Sequence, residues 1–468
     1  MHSTIRLLIA AFLVAVAALG GALYLDHTRA SGLDTFAGTG NGIASLDLKA
    51  LLANPRAADQ RMLDSAFRQV EKEYYRPVDA QVLLNGEQRE LVAYLRKHKI
   101  ASPSIPTGAA NGDQSHDVRL LNRNLQLAQS QYGKLTSNAE LTQAAIRGML
   151  NALGDPYTTY LTPREISSLE DSLSGGDFGG IGVYIFQTKA KQVVVDPIDG
   201  MPAVRAGIKA GDQIIAVNGR EVAGMSLDEV ERLIRGPIGT VVRLTVKTHK
   251  ASSSHVLPVT RQQIIVPSVK ATFEDGFEYV RLADFGKNSY DEVRKALADG
   301  KARGAKGYIL DLRNNGGGLL DAAVEISSLF VPESKTVVST IDRAGVRETK
   351  ISTGDALGAS PLVVLVNKYT ASASEITAGA IQDYHVGLLL GTKTFGKGVV
   401  QSIYKMSDGG ALKITTARYV TPLGRDIHHK GIAPDVVVAQ PVEAPIIDTP
   451  KDLQLAAAKT YLRRIARR

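Results

Sequence analysis

Cysteine is absent from the 468 residues, which removes any thiol nucleophile, thiolate metal site or disulfide framework. Concentrated charge of one sign is also lacking. The net charge of +8 is modest for this length, and the basic residues are scattered. Apart from the terminal RRIARR there is no basic stripe with interleaved aromatics, so no nucleic-acid face is expected. Residues 7–25 lack any polar stripe, which argues against a buried helix of a cytosolic protein there. Those nineteen residues, behind Arg6, come close to the roughly 20 that cross a bilayer. They read as a signal peptide or a membrane anchor. Ala18-Leu19-Gly20 would serve as a small-x-small cleavage point, although Leu23, Tyr24 and Leu25 carry the run past it. Arg6 on the short amino-terminal side places the rest of the chain outside the cytoplasm.

What remains suffices for two or three domains with full cores, at 44% hydrophobic and 22% charged residues. The stretch richest in chemistry is PLVVLVNKYTASASEITAGAIQDYHVGLLLGTKTFGKGVVQ, residues 361–401. Leu362 to Val366 is a β-branched apolar run that reads as a buried strand. Ile376, Ala380, Ile381 and Tyr384 then recur at helical spacing, so a helix begins near Ser372 or Ala373. A hydroxyl at such a turn has two readings. Ser372 or Ser374 caps orphan amides, or one of them is a nucleophile at the positive end of a helix.

Lys397, between Gly396 and Gly398, again has two readings. It is a solvated charge, or it sits in a dry pocket where lost solvation lowers its pKa and lets it act as a base toward a serine. Gln401 offers an amide to orient it. Gly391 to Lys397 also fits the start of a phosphate-binding loop, but Gly398 stands where Ser or Thr should hold magnesium.

TASASE together with TFGKGVVQ resembles the carboxyl-terminal processing (tail-specific) serine peptidases. The resemblance implies that Ser372 is the nucleophile, Lys397 the general base and Gln401 its supporting amide. DLRNNGGG, residues 311–318, follows an apolar strand and opens a helix. Its glycines either cap that helix or aim amides at an oxyanion. The resemblance supports the second role, with Gly317 or Gly318 and the Ala373 amide as donors. Gly316 stands where many members have proline.

GGDFGGIGVYI and PAVRAGIKAGDQIIAVNGREVAGMSLDEVERLIRG make residues 175–263 resemble a PDZ domain. There Gly180, Ile181 and Gly182 would form an amide nest for a peptide's terminal carboxylate, although a hairpin turn would also use such glycines. The following strand offers an edge for peptide addition. Arg235 is a further candidate peptide contact, a link from this domain to the core, or a simple C-terminal helix charge.

The expected organisation is α/β and multidomain. A signal peptide or anchor (1–30) and a tether (31–58) precede a helical region (59–174) in which 85–139 looks like an insertion. A PDZ-like β-rich domain (175–263) follows, then a core (264–440) and a C-terminal helix (441–468). Strand–helix alternation implies a parallel sheet in the core, and the resemblance implies a crotonase-like fold. AAIRGMLNALGDPYTTYL, ending the helical region, matches a family motif closely.

The expected function is a serine endopeptidase with a Ser–Lys dyad that acts on envelope proteins with free C-termini, without cofactor or metal. His428 and His429 are too isolated from acidic residues to argue a metal site. An activating partner or homo-oligomer is left open, and the expected place is the periplasm, tethered to the inner membrane. The rival reading is a non-catalytic PDZ adaptor of the envelope.

Overall fold

The computed structural model describes residues 23–24 and 55–466, apart from 107, 174–177, 189–190, 199, 249–252, 265–266, 355–359 and 441–450. Most of the expected anchor and tether therefore lies outside the described residues. Among those described, no helix is long and apolar enough to cross a membrane. A two-residue strand β1 (Leu23–Tyr24) is the exception in the apolar run, and it pairs in parallel with Gln401 and Ser402.

Four helices build the amino-terminal region: α1 (Pro55–Glu73), α2 (Ala80–Lys97), α3 (Gln114–Tyr132) and α4 (Asn138–Asn151). Asp79, Asp113 and Ser137 cap the last three, each accepting a backbone N–H of the first turn. Leu63, Phe67, Leu83, Leu91, Leu121, Leu125, Ile146 and Met149 share one buried core. The stretch at 85–139 holds most of α2 and all of α3, so it is part of the bundle rather than an arm. Where α2 crosses α4 the backbones touch: a Cβ on Gly86 would lie 2.3 Å from the Gly148 carbonyl oxygen.

After β2 (Thr159–Leu161) and α5 (Pro163–Leu173), the PDZ-like unit is bracketed by a ribbon. Its entry strand β3 (Phe178–Gly180) pairs antiparallel with its exit strand β10 (Gln262–Ile264). Between them β4 (Val183–Gln187), β5 (Val193–Pro197), β6 (Gln213–Val217), β8 (Val241–Lys247) and β9 (His255–Thr260) form an antiparallel sheet in the order β4-β5-β6-β8-β9, and β7 (Arg220–Glu221) also pairs with β6. Two helices, α6 (Pro202–Arg205) and α7 (Leu227–Ile234), complete a core of its own. Strand β4 is at one edge of the sheet, as peptide addition requires.

The core has two sheets. The first runs β11 (Val269–Glu274), β12 (Phe277–Leu282), β13 (Tyr308–Asp311), β16 (Leu362–Val366), β17 (Leu388–Gly391), β20 (Val436–Val437). From β12 onward every pairing is parallel, and all five residues of β16 are buried, as a continuous apolar run dictates. Helices α8 (Ser289–Ala302), α9 (Leu320–Ser328) and α10 (Ala373–Asp383) pack on one face. On the other, α11 (Leu453–Ile465) sets Ala458 and Leu462 against Ile309, Val363 and Leu365.

The second sheet was not anticipated from sequence. Its successive neighbours β18 (Val399–Lys405), β19 (Ala411–Val420), β14 (Thr336–Asp342) and β15 (Arg347–Ile351) pair antiparallel, and β1 adds in parallel beside β18. Strand β2 pairs with the start of β19, so the end of the helical region is built into the catalytic half.

Candidate active site

Strand β16 runs out at Val366 and hands the chain to α10 through Asn367–Ser372. Within that elbow Ser374 N–H donates to the Ala371 carbonyl at 3.2 Å, closing a four-residue turn. Ser372, its second residue, has φ 57° and ψ −119°. That is a type II′ position, normally held by glycine and costly for any side chain, by about 1–3 kcal/mol. The surroundings over-determine it. Ser372 N–H donates to Glu375 Oε2 at 3.0 Å, and the Tyr419 hydroxyl donates to the Ser372 carbonyl, also at 3.0 Å. Ala371 N–H donates to the Asn315 carbonyl at 3.0 Å, pinning the elbow to the DLRNNGGG turn. The other candidate serine is used structurally: Ser374 Oγ donates to that same carbonyl at 3.0 Å.

Lys397 lies between β17 and β18 and is 3% exposed. Its Nζ has no hydrogen-bond partner and sits 4.5 Å from the centroid of the Tyr157 ring. Burial is the largest cause pulling its pKa down to about 7; the charge of Lys413 adds to this, while Asp155 and Glu375 oppose it. Gln401 is fully buried on β18. Its Nε2 is 3.5 Å from Thr415 Oγ1, and its Oε1 has no partner. The site thus holds one buried donor and one buried acceptor without partners, four residues apart. The Ser372 and Lys397 backbones meet at Glu375 and Tyr419, while Lys397 Nζ and Gln401 Oε1 each have no hydrogen-bond partner.

Glu375 links these pieces and was missed from sequence. It is fully buried. Its Oε2 accepts from the Ser372 and Lys397 N–H groups, and its Oε1 from Gly396 N–H at 2.8 Å and Thr394 Oγ1 at 2.5 Å. Burial raises its pKa, and the four donors pull the other way. A signal did exist, because Ser-x-x-Glu at a helix start is the capping-box spacing.

Of the oxyanion candidates, Gly317 needs correction. Its N–H already donates to Asn315 Oδ1 at 2.9 Å, so it is not a spare donor. Its role is close approach: φ is 102°, and a Cβ there would lie 2.8 Å from both Ala373 N and Ser372 Cβ. Gly318 instead packs its Cα against the Phe285 backbone, with φ 153°, and Ala373 opens α10 directly after Ser372. The turn is anchored from behind by Arg313, whose buried guanidinium meets Asp311 at 2.6 Å and Asp452 at 2.8 Å.

In the PDZ-like unit, Gly180 ends β3 opposite Gln262. Ile181 is buried, with its carbonyl accepting from Ala203 N–H at 2.8 Å. Gly182 has φ 71°, and a Cβ there would meet the Met201 side chain at 2.2 Å. Arg235 caps the end of α7 and pairs with Glu231 at 2.5 Å, an ordinary helix-end contact. The cation that does join the unit together is Arg261, which donates to the Ile234 carbonyl at 2.7 Å.

Residues 277–438 match the model for peptidase family S41, 193–248 match the PDZ domain, and 91–164 match the activating protease CtpB N-terminal domain. A carboxyl-terminal-processing protease of Synechocystis sp. is 42% identical over 333 residues, 69% of this chain and 78% of that protein. The carboxy-terminal processing protease CtpA of Bacillus subtilis is 37% identical over 355 residues, 75% and 74% of the two chains. Among solved structures, the photosystem II D1 C-terminal processing protease is similar over 86% of this chain and 97% of its own, with 31% identity and a TM-score of 0.47. The chain belongs to peptidase family S41 and is a serine-type, carboxyl-terminal processing peptidase with a PDZ domain.

Proposed function

We propose that Ser372 and Lys397 form a Ser–Lys dyad that cleaves protein substrates presented by their C-termini. The observation that carries this reading is a lysine buried to 3% exposure with no hydrogen-bond partner, its backbone tied through Glu375 to a serine at a strained φ of 57°. A fully solvated lysine would stay protonated at neutral pH, whereas this one is poised near it. Lys397 Nζ takes the Ser372 Oγ proton while Oγ attacks the scissile carbonyl carbon, and the Gly318 and Ala373 amides receive the oxyanion. The ammonium then returns that proton to the leaving amine, and a water repeats the sequence on the acyl-enzyme. Gln401 Oε1, buried without a partner, orients Lys397 during the transfer.

The Gly180–Gly182 segment and the free edge of β4 hold the substrate's terminal carboxylate and the residues before it. Arg6 and the apolar run support export, with the chain tethered at the membrane and acting on envelope proteins. The match to the CtpB-type activating-protease amino-terminal domain supports control by a partner or a second copy.

The test is a pair of peptides differing only in a free or amidated C-terminus. The free acid should bind and be cleaved about ten- to a hundredfold better, since a charge-assisted contact is worth roughly 1.5–3 kcal/mol. Equal handling of both removes the carboxylate nest. Binding without any turnover of either returns the adaptor reading.

A further inference from the structure

We infer that Tyr157, from the loop between α4 and β2, is a positioning residue for the base: its ring face receives the ammonium that Lys397 becomes when it takes the Ser372 proton. This rests on the dyad reading. General-base catalysis by lysine creates a positive charge in the transition state, and in a buried site that charge needs a partner. In a Ser–His–Asp site a carboxylate meets it. Among the described residues no carboxylate lies within hydrogen-bonding distance of Lys397 Nζ. The two acids whose charges favour the ammonium, Asp155 and Glu375, spend their hydrogen bonds elsewhere. Glu375 spends both oxygens on four donors. Asp155 accepts from Tyr157 N–H at 2.9 Å and Thr158 Oγ1 at 2.7 Å. Lys413, on β19, is the remaining charge that faces Lys397, and it repels. What lies against Nζ is the Tyr157 ring, with its centroid at 4.5 Å, inside cation–π range.

The ring is held in place from three sides. Asp155 fixes the backbone of Tyr157. Thr158 Oγ1 accepts from Thr415 N–H at 3.0 Å, tying the loop to β19. Strand β2 then pairs with Lys413 to Ala411. Gln401 Nε2 approaches Thr415 Oγ1, so the loop and the amide meet at one residue of β19. The helical region therefore supplies part of the base's pocket, and a catalytic half made without it lacks the surface that carries the charge.

A π face that stabilises the ammonium raises the lysine's pKa and helps the transition state at once. Removing the face while keeping bulk should lower both. The experiment uses the full chain and a fluorophosphonate that acylates serine, with rates measured from pH 5 to 10. Tyr157→Phe, Tyr157→Leu and Lys397→Ala are compared with the parent. For Tyr157→Leu the acid limb should move down by about one pH unit, and the plateau should fall about tenfold or more. Tyr157→Phe, which keeps the face and loses only the hydroxyl, should hold the parent's limb and most of its plateau. A Tyr157→Leu plateau that falls with an unmoved limb would reduce the residue to packing and overturn the inference. So would a Tyr157→Phe variant as impaired as Tyr157→Leu, which would put the effect in the hydroxyl. If Lys397→Ala keeps the parent's limb, the dyad itself is wrong, and that outcome is separate from the other two.

Discussion

The backbone N–H groups of Ser372 and Lys397 donate to a single atom, Glu375 Oε2, at 3.0 and 2.8 Å. One carboxylate oxygen thus sets the spacing of two chain segments that are 25 residues apart in sequence, the elbow after β16 and the loop that leads from β17 of the first sheet to β18 of the second. Glu375→Gln should break that bracket, because the amide offers one oxygen where two were used and turns its NH₂ toward two donors. Activity should fall at least about a hundredfold, near 2.7 kcal/mol of transition-state stabilisation. Steady-state kinetics beside a thermal melt checks this. A folded Glu375→Gln protein within threefold of the parent would show that the bracket is dispensable.

Arg313 anchors the DLRNNGGG turn to the C-terminal helix by donating from Nη1 and Nη2 to the two oxygens of Asp452, both at 2.8 Å. Burial alone would lower its pKa, but Asp311 and Asp452 outweigh burial and raise it. Asp452→Ala leaves a buried guanidinium half-paired and should cost about 3–5 kcal/mol. Urea unfolding monitored by circular dichroism reads the loss directly. Asp452→Asn, which keeps one acceptor and the helix cap through Leu455 N–H, should lose less; equal losses would place the whole effect in the charge paired with Arg313 rather than in the cap.

The helical region carries a pH-dependent element at Glu87. Burial pushes its carboxyl well above the usual 4.5, and the one bond from Asn124 Nδ2, at 2.9 Å, opposes this. The sign follows from linkage: the folded state binds the proton more tightly than the unfolded state. The contribution is therefore greatest below about pH 4.5 and is lost as pH rises toward the raised folded value. Glu87→Gln cannot ionise, so it should lose less stability than the parent between pH 5 and 8. Melting temperatures of the two proteins across that range should diverge as pH increases. Parallel curves would place Glu87's ionisation outside the window.

Much of the site was legible because its signals are local. The apolar run Leu362–Val366 can only be a buried strand, and the glycines around Lys397 mark a tight, close-packed segment. Glu375 escaped notice because a glutamate in a first helical turn looks like an ordinary dipole partner. Its function appears only when Gly396 and Lys397 return to it from a distant loop. Tyr157 was hidden for the same reason, since sequence gives no hint that its ring meets a lysine 240 residues later. The antiparallel sheet was missed because β14 pairs with β19 across some 70 residues, and no spacing rule announces such a partner. In the helical region, the loop-like stretch IASPSIPTGAANGDQSHD made 85–139 read as an insertion, and sequence alone does not show that the helices around it share one core.

The central claim is that Lys397 works by giving up and taking a proton, and Lys397→Arg tests it most directly. Arginine keeps the positive charge and much of the length but stays protonated at any usable pH. The measurement is kcat/KM on a peptide ending in a free carboxylate, for the parent, Lys397→Arg and Ser372→Ala, each first shown to be folded. Both variants should lose at least about a thousandfold, and the parent's rate should rise with pH through a midpoint near 7 as the lysine deprotonates. Turnover by Lys397→Arg within about tenfold of the parent would contradict the dyad.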